Sequence, residues 1–330
     1  MKRVLFPERA NWQQAHQEIG FDYYNLPSRD GSMYWSEGVA YEFSLKQIEQ
    51  LEDASNELHQ MCLEVAGDMI QRGHYPEYFQ LPPAAIPLIE YSWKNQAPML
   101  YGRFDFAYDG QAIKMLEYNA DTPTGLLEAS VAQWHWIEQV ENIANRDQFN
   151  SIHEKLIERW KQLYPARSRV HFAACQEAGR EDWGNLEYLM DTAFQAGLNV
   201  SELSMENIGW NGTAFVDLHQ QEIQHLFKLY PWEWIWEENF SQFLKPEIEW
   251  IEPCWKMLLS NKALLIELWK RFPNHPLLLE THAYDAHAHY AGKWVRKPIL
   301  AREGANIHIL QNNVAVSYTH LRAHETDSYL

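Results

Sequence analysis

The sequence predicts an α/β protein built as one large unit or as two to three tightly packed lobes, and three observations carry the fold class. Residues 169–230 alternate between strand-like and helix-like runs, two charged strands flank an Asp109-Gly110 turn, and a long amphipathic helix opens at Ser44. With 330 residues, 46% of them hydrophobic and 14% aromatic, the chain can bury a large core.

Taken in order, the elements follow from local signals. After an aromatic, turn-rich opening over residues 21–41, Ser44 and Gln47 form a capping-box pattern. Apolar positions from Leu45 through Leu58 and Val65 to Ile70 keep a helical period, and Gly73 ends it. Residues 86–93 and 99–108 read as strands, and 112–119 returns across the Asp109-Gly110 turn to make a β-hairpin. Helices are predicted over 126–141 and 151–163. A strand at 169–174, a helix at 185–196, strands at 199–203 and 213–217 and a helix from Glu222 then give the rhythm of a parallel sheet. A Gly-x-Gly-x-x-Gly turn is missing from that stretch, so no dinucleotide is implied. A helix over 261–271 and strands near 294–299 and 306–310 follow. From Val316 the strand pattern is not continued, and the residues resemble read-through of a transposase end and library adapter. Residues 315–330 are therefore read as a non-native tail replacing a lost C-terminal segment.

Charge narrows the function classes. Forty-five acidic against 27 basic side chains leave a formal charge of −18. Such a chain repels nucleic-acid backbones and anionic membranes, so a phosphate ligand must be held by a few concentrated cations and metal ions. A cationic amine fits the same field. No apolar run approaches the span of a bilayer, and the first residues turn polar too soon for a secretory signal. Three scattered cysteines, Cys62, Cys175 and Cys254, make neither a disulfide framework nor a zinc pattern, which points to the cytoplasm.

The chemistry concentrates in the hairpin. Arg103 and Asp105 are two apart on one strand, as are Glu117 and Asn119 on the other, so each pair shares a face. If the faces coincide, a guanidinium, two carboxylates and an amide meet, a hard oxygen set that suits Mg²⁺ completed by substrate phosphates. Arg103 would then stand where charge develops on a transferred phosphoryl group. A salt-bridged surface hairpin fits the same spacing. Downstream, Lys297 ends a strand and precedes a loop with Arg302 and Gly304, an arrangement able to lay amides and cations over a triphosphate. His282, Asp285, His287 and His289 lie close together but give no full ligand set in either helical or strand spacing. The Tyr230–Trp236 aromatic run reads as core, and Asp121 as a loop anchor.

Together, Gly102-Arg-Phe-Asp-Phe, Leu116-Glu-Tyr-Asn-Ala-Asp-Thr-Pro-Thr, Glu252-Pro-Cys-Trp-Lys with Asn261-Lys262, and Val295-Arg-Lys-Pro-Ile-Leu-Ala-Arg-Glu-Gly-Ala-Asn resemble the glutathionylspermidine synthase family of the ATP-grasp superfamily. The resemblance runs to about Leu310. It implies an ATP-grasp fold with a smaller pre-ATP-grasp lobe around 168–250. It also implies a cytoplasmic ATP-dependent carboxylate–amine ligase that works through an acyl phosphate. Asp105, Glu117 and Asn119 match the family's magnesium ligands, for two Mg²⁺ ions, and Arg103 matches the arginine on the phosphates. Lys262 and Lys297 match the two nucleotide lysines, and Arg302 with Glu303, Gly304 and Ala305 matches the loop closing over ATP. Thr122 and Thr124 stand where spermidine-conjugating members carry serines that hold the acid. A small-molecule or peptide acid and an amine are the implied partners. A true glutathionylspermidine synthetase and a catalytically silent nucleotide binder are the rival readings. No amidase-like region precedes the matching stretch.

Overall fold

Helix formation starts where the sequence supplies a cap. The computed structural model describes residues 1–27, 33–141, 143, 146–244, 246, 248–285, 291–301 and 304–318. The Ser44 hydroxyl accepts from the Gln47 N–H at 3.4 Å, and the Gln47 side chain accepts from the Ser44 N–H at 3.1 Å. The helix ends at Gly73, whose φ of 59° lies where a Cβ would be strained.

In chain order the first elements are β1 (Lys2–Leu5), α1 (Trp12–Glu18), β2 (Val39–Glu42), α2 (Leu45–Arg72) and α3 (Ile86–Lys94). The hairpin β3 (Arg103–Tyr108) and β4 (Ile113–Asn119) comes next, then α4 (Gln133–Gln139) and α5 (Ile152–Leu163). The middle holds β5 (Arg169–Ala174), α6 (Arg180–Gln195), β6 (Asn199–Ser204), β7 (Gly209–Trp210), β8 (Phe215–Val216) and β9 (His225–Leu229). The last stretch holds α7 (Trp232–Ile235), β10 (Glu249–Ile251), α8 (Met257–Ser260), α9 (Leu264–Arg271), β11 (Lys293–Arg296), β12 (His308–Gln311) and β13 (Val314–Tyr318).

The parallel sheet has the order β10-β9-β5-β6. It separates two hydrophobic clusters: Phe172 and Ala174 of β5 face one with Trp160 and Leu186, while Ala173 faces the other with Leu226 and Trp250. That alternation is the pleat of a strand buried on both sides.

Three predicted elements are corrected. Residues 86–94 form helix α3, not a strand: Pro87 occupies its first turn, where a missing N–H costs nothing, and Leu88, Ile89 and Ser92 turn to the core at helical spacing. The predicted helix from Glu222 is strand β9, whose Leu226–Leu229 run is buried throughout and so shows no period-2 alternation to read. The predicted strand at 213–217 pairs antiparallel with β7 outside the parallel sheet. At the other end, strand β13 runs across the predicted boundary at residue 315. It pairs with β12 through Asn312 and Asn313, at φ 50° and 68°, a conformation asparagine tolerates in tight hairpins.

Candidate active site

The hairpin is built from its turn outward. Asp109 Oδ1 accepts from the Gln111 and Ala112 N–H groups at 2.9 and 2.7 Å, and Gly110 takes φ 95°. Register then places Asp105 opposite Glu117 and Arg103 opposite Asn119. The four side chains therefore share one face: spacing put each pair on a face, and the register makes the two faces one. A bulge between Asp105 and Phe106 leaves Leu116 as the extra residue, since Phe106 pairs with Met115. The bulge turns Tyr118, Met115 and Ile113 all toward the core, which strict alternation could not do. Tyr118 stacks on Phe104 at 3.9 Å between ring centroids.

On the polar face, Arg103 Nε donates to Asp105 Oδ1 at 2.9 Å, and its Nη1 to the Thr124 carbonyl at 3.2 Å. Asn119 Nδ2 donates to Glu117 Oε1 at 3.3 Å, and Lys262 Nζ lies 3.2 Å from Glu117 Oε2. Lys297 Nζ donates to the Leu116 carbonyl at 3.4 Å. Burial pushes the Glu117 carboxyl up, but Lys262, Asn119 and Lys297 outweigh it and hold the group below the usual range. Burial pushes the Lys297 ammonium down, Lys262 adds to the effect, and Glu117 and Asp105 oppose it.

The structure thus brings Arg103, Asp105, Glu117, Asn119, Lys262 and Lys297 together. Thr124 adjoins them through its carbonyl, while its hydroxyl donates to Glu181 Oε1 at 3.0 Å. Thr122 is half-buried on the same loop, Gly304 is half-buried and Ala305 is buried. Arg302 and Glu303 lie outside the described residues, as do His287 and His289. His282 contacts Glu280 at 2.8 Å. Among the described residues no group of three or more His, Cys, Asp or Glu is placed to hold a metal ion. The hairpin set, two carboxylates and an amide, instead fits a hard cation that keeps waters and takes further oxygens from phosphates.

Two buried ion pairs fix the open end of the hairpin; sequence reasoning read Asp121 as the loop anchor it is but missed its partner Lys228 and the Glu252–Lys256 pair. Just before Arg103, Glu252 Oε1 accepts from the Leu100 and Tyr101 N–H groups at 3.0 Å each. Lys256 Nζ donates to the Tyr101 carbonyl at 2.6 Å and to Glu252 Oε2. Just after Asn119, Asp121 accepts from Lys228 Nζ at 2.5 Å and from the Trp232 N–H at 2.9 Å. Ser260 Oγ accepts from the Ala120 and Asp121 N–H groups at 2.9 and 2.7 Å. The four-residue spacing of Glu252 and Lys256 was the one visible signal for the first pair; the second joins residues 107 positions apart.

An α/β chain with cations, carboxylates and an amide gathered on one hairpin face is equipped to handle a phosphorylated substrate. The profile of the glutathionylspermidine synthase pre-ATP-grasp family matches residues 3–327, and the chain belongs to that family, an ATP-dependent carbon–nitrogen ligase by class. A Haemophilus influenzae protein named "Putative acid–amine ligase" is 52% identical over 325 residues, covering 96% of this chain and 82% of the relative. Trypanothione synthetase of Crithidia fasciculata is 26% identical, covering 91% of this chain. The bifunctional glutathionylspermidine synthetase/amidase of Escherichia coli is 25% identical, covering 81% of it. The chain spans 51% and 47% of those last two proteins.

Proposed function

We propose that this protein is an acid–amine ligase with an ATP-grasp architecture that activates a carboxylic acid with ATP and magnesium and passes the acyl group to an amine. The observation that carries the reading is the register of the hairpin: Asp105 faces Glu117 and Arg103 faces Asn119, with Lys262 and Lys297 converging on the same face.

A carboxylate is a poor acyl donor, so its oxygen first attacks the γ-phosphorus of ATP and ADP leaves. The amine nitrogen then attacks the carbonyl carbon of the acyl phosphate, inorganic phosphate departs, and the amine gives up a proton. Asp105, Glu117 and Asn119 would hold Mg²⁺, which supplies Lewis-acid neutralisation of the phosphate oxygens when bound. Arg103 sits beside the metal set, where its guanidinium can balance charge spreading over the transferred group. Lys262 and Lys297, with Arg302, Glu303, Gly304 and Ala305, are assigned to the nucleotide. Thr122 and Thr124 are assigned to the acid. This chemistry needs no protein nucleophile.

The test is ADP release from a panel of acids crossed with amines, with and without Mg²⁺, glutathione plus spermidine being one pair. Release that requires an acid, an amine and the metal together is the expected result. Tight nucleotide binding without turnover for any pair would overturn the reading in favour of a silent binder.

A further inference from the structure

Lys262 makes contacts that a lysine assigned only to nucleotide phosphates does not require. Its ammonium lies 3.2 Å from Glu117 Oε2 and donates to the Ala301 carbonyl at 2.6 Å, and its own N–H donates to the Ile299 carbonyl at 3.2 Å. One residue therefore ties the stem at Ile299–Ala301 to a carboxylate of the hairpin. The other oxygen of Glu117 is taken by Asn119.

Charge counting sharpens the point. The face holds three cations, Arg103, Lys262 and Lys297, against two carboxylates, Asp105 and Glu117, for a net of +1. A divalent ion added with nothing else moving would raise that to +3. Magnesium also demands oxygen ligands at about 2.0–2.1 Å in near-octahedral array. An ammonium already on the same carboxylate oxygen blocks part of that approach and repels the ion.

We infer that Lys262 is a placeholder for the divalent cation at Glu117: metal and ammonium compete for one carboxylate, and arrival of the metal with nucleotide phosphates releases Lys262 from Glu117 toward those phosphates. The inference rests on the metal-dependent ligase reading of the site. It makes metal and nucleotide binding mutually reinforcing, because each removes a cost the other would meet alone.

The experiment is calorimetric titration of the full chain with Mn²⁺ without nucleotide, repeated with a non-hydrolysable ATP analogue. Circular-dichroism melting checks that each variant is folded. The wild-type protein should bind Mn²⁺ weakly alone and more tightly with the analogue. Lys262→Met, which keeps the apolar stem and removes the charge, should bind Mn²⁺ alone about 5-fold or more tighter than wild type, and should lose the gain from the analogue. Lys262→Arg, which keeps the charge, should stay weak. Glu117-dependent Mn²⁺ binding that Lys262→Met leaves unchanged or weakens would overturn the placeholder role alone. Mn²⁺ binding in no protein, or binding indifferent to Glu117→Gln, would overturn the metal site and with it the ligase reading.

Discussion

Glu117 is the residue on which the site turns, because one carboxylate faces Asp105 across the strands, accepts from Asn119 and meets Lys262. Glu117→Gln removes its charge at nearly constant volume. It should cut ligase turnover by about a hundredfold or more while the melting temperature stays near wild type; near-normal magnesium-dependent ADP release from a folded variant would exclude the assignment. Lys297 gives a pH signature. Its ammonium is pushed down by burial and by Lys262, so it loses its proton below the ordinary lysine value of about 10.4. The charged form exists on the acidic side, so kcat/KM for ATP should fall as pH rises through the shifted value. Lys297→Arg keeps its charge there, and its alkaline limb should move upward. An alkaline limb identical in both proteins would remove Lys297 from the nucleotide site.

At the scale of the element, the hairpin is a two-stranded sheet that could not stand alone in water. It persists because its apolar face, with Phe104, Met115 and Tyr118, packs on the larger core. Gly102 makes that packing possible. A Cβ there would lie 2.6 Å from the Tyr118 ring and 2.8 Å from its hydroxyl, which contacts His59 Nδ1 at 3.0 Å. Tyr118 is stacked on Phe104 and has little room to retreat. Gly102→Ala should therefore cost about 1–3 kcal/mol of stability, the usual penalty for overpacking, read as a lower urea midpoint at unchanged slope. It should also lower activity, because Arg103 is the next residue. A neutral effect on both would mean that the ring shifts freely.

Across the whole molecule, the hairpin is aimed by charges far away in sequence. Glu252 and Lys256 are almost completely buried and clamp residues 100–101, while Lys228 and Asp121 clamp the exit. Burial pushes the Glu252 carboxyl up and the Lys256 ammonium down, and their mutual attraction opposes both shifts. Removing one partner strands the other as an unpaired buried charge. Lys256→Met should destabilise the protein by about 3–5 kcal/mol, measured by denaturant unfolding. The double variant Glu252→Gln/Lys256→Met should recover part of that loss, because no lone charge remains. A double variant as unstable as the single would show that the hydrogen bonds to residues 100–101, rather than the unpaired charge, dominate.

The sequence by itself determined the features whose causes lie within a few residues. Ser44 with Gln47 announced helix α2 through the reach of two side chains, and Gly73 announced its end. Asp109-Gly110 announced the hairpin turn, and the spacing of Arg103, Asp105, Glu117 and Asn119 put each pair on one face. Residues 86–94 and 225–229 were misread because a short apolar run has no period of its own, and burial on all sides hides the difference between helix and strand. Only the tertiary structure decided the bulge at Leu116, the approach of Lys262 and Lys297 to the hairpin, and the buried pairs that hold its ends. Except for the bulge, which is local to the hairpin, those contacts join residues more than a hundred positions apart or, like Glu252 with Lys256, clamp partners at residues 100–101 that are equally remote. No local pattern encodes them, because a hydrogen bond or ion pair across such a distance is selected by the packing of the core between its partners.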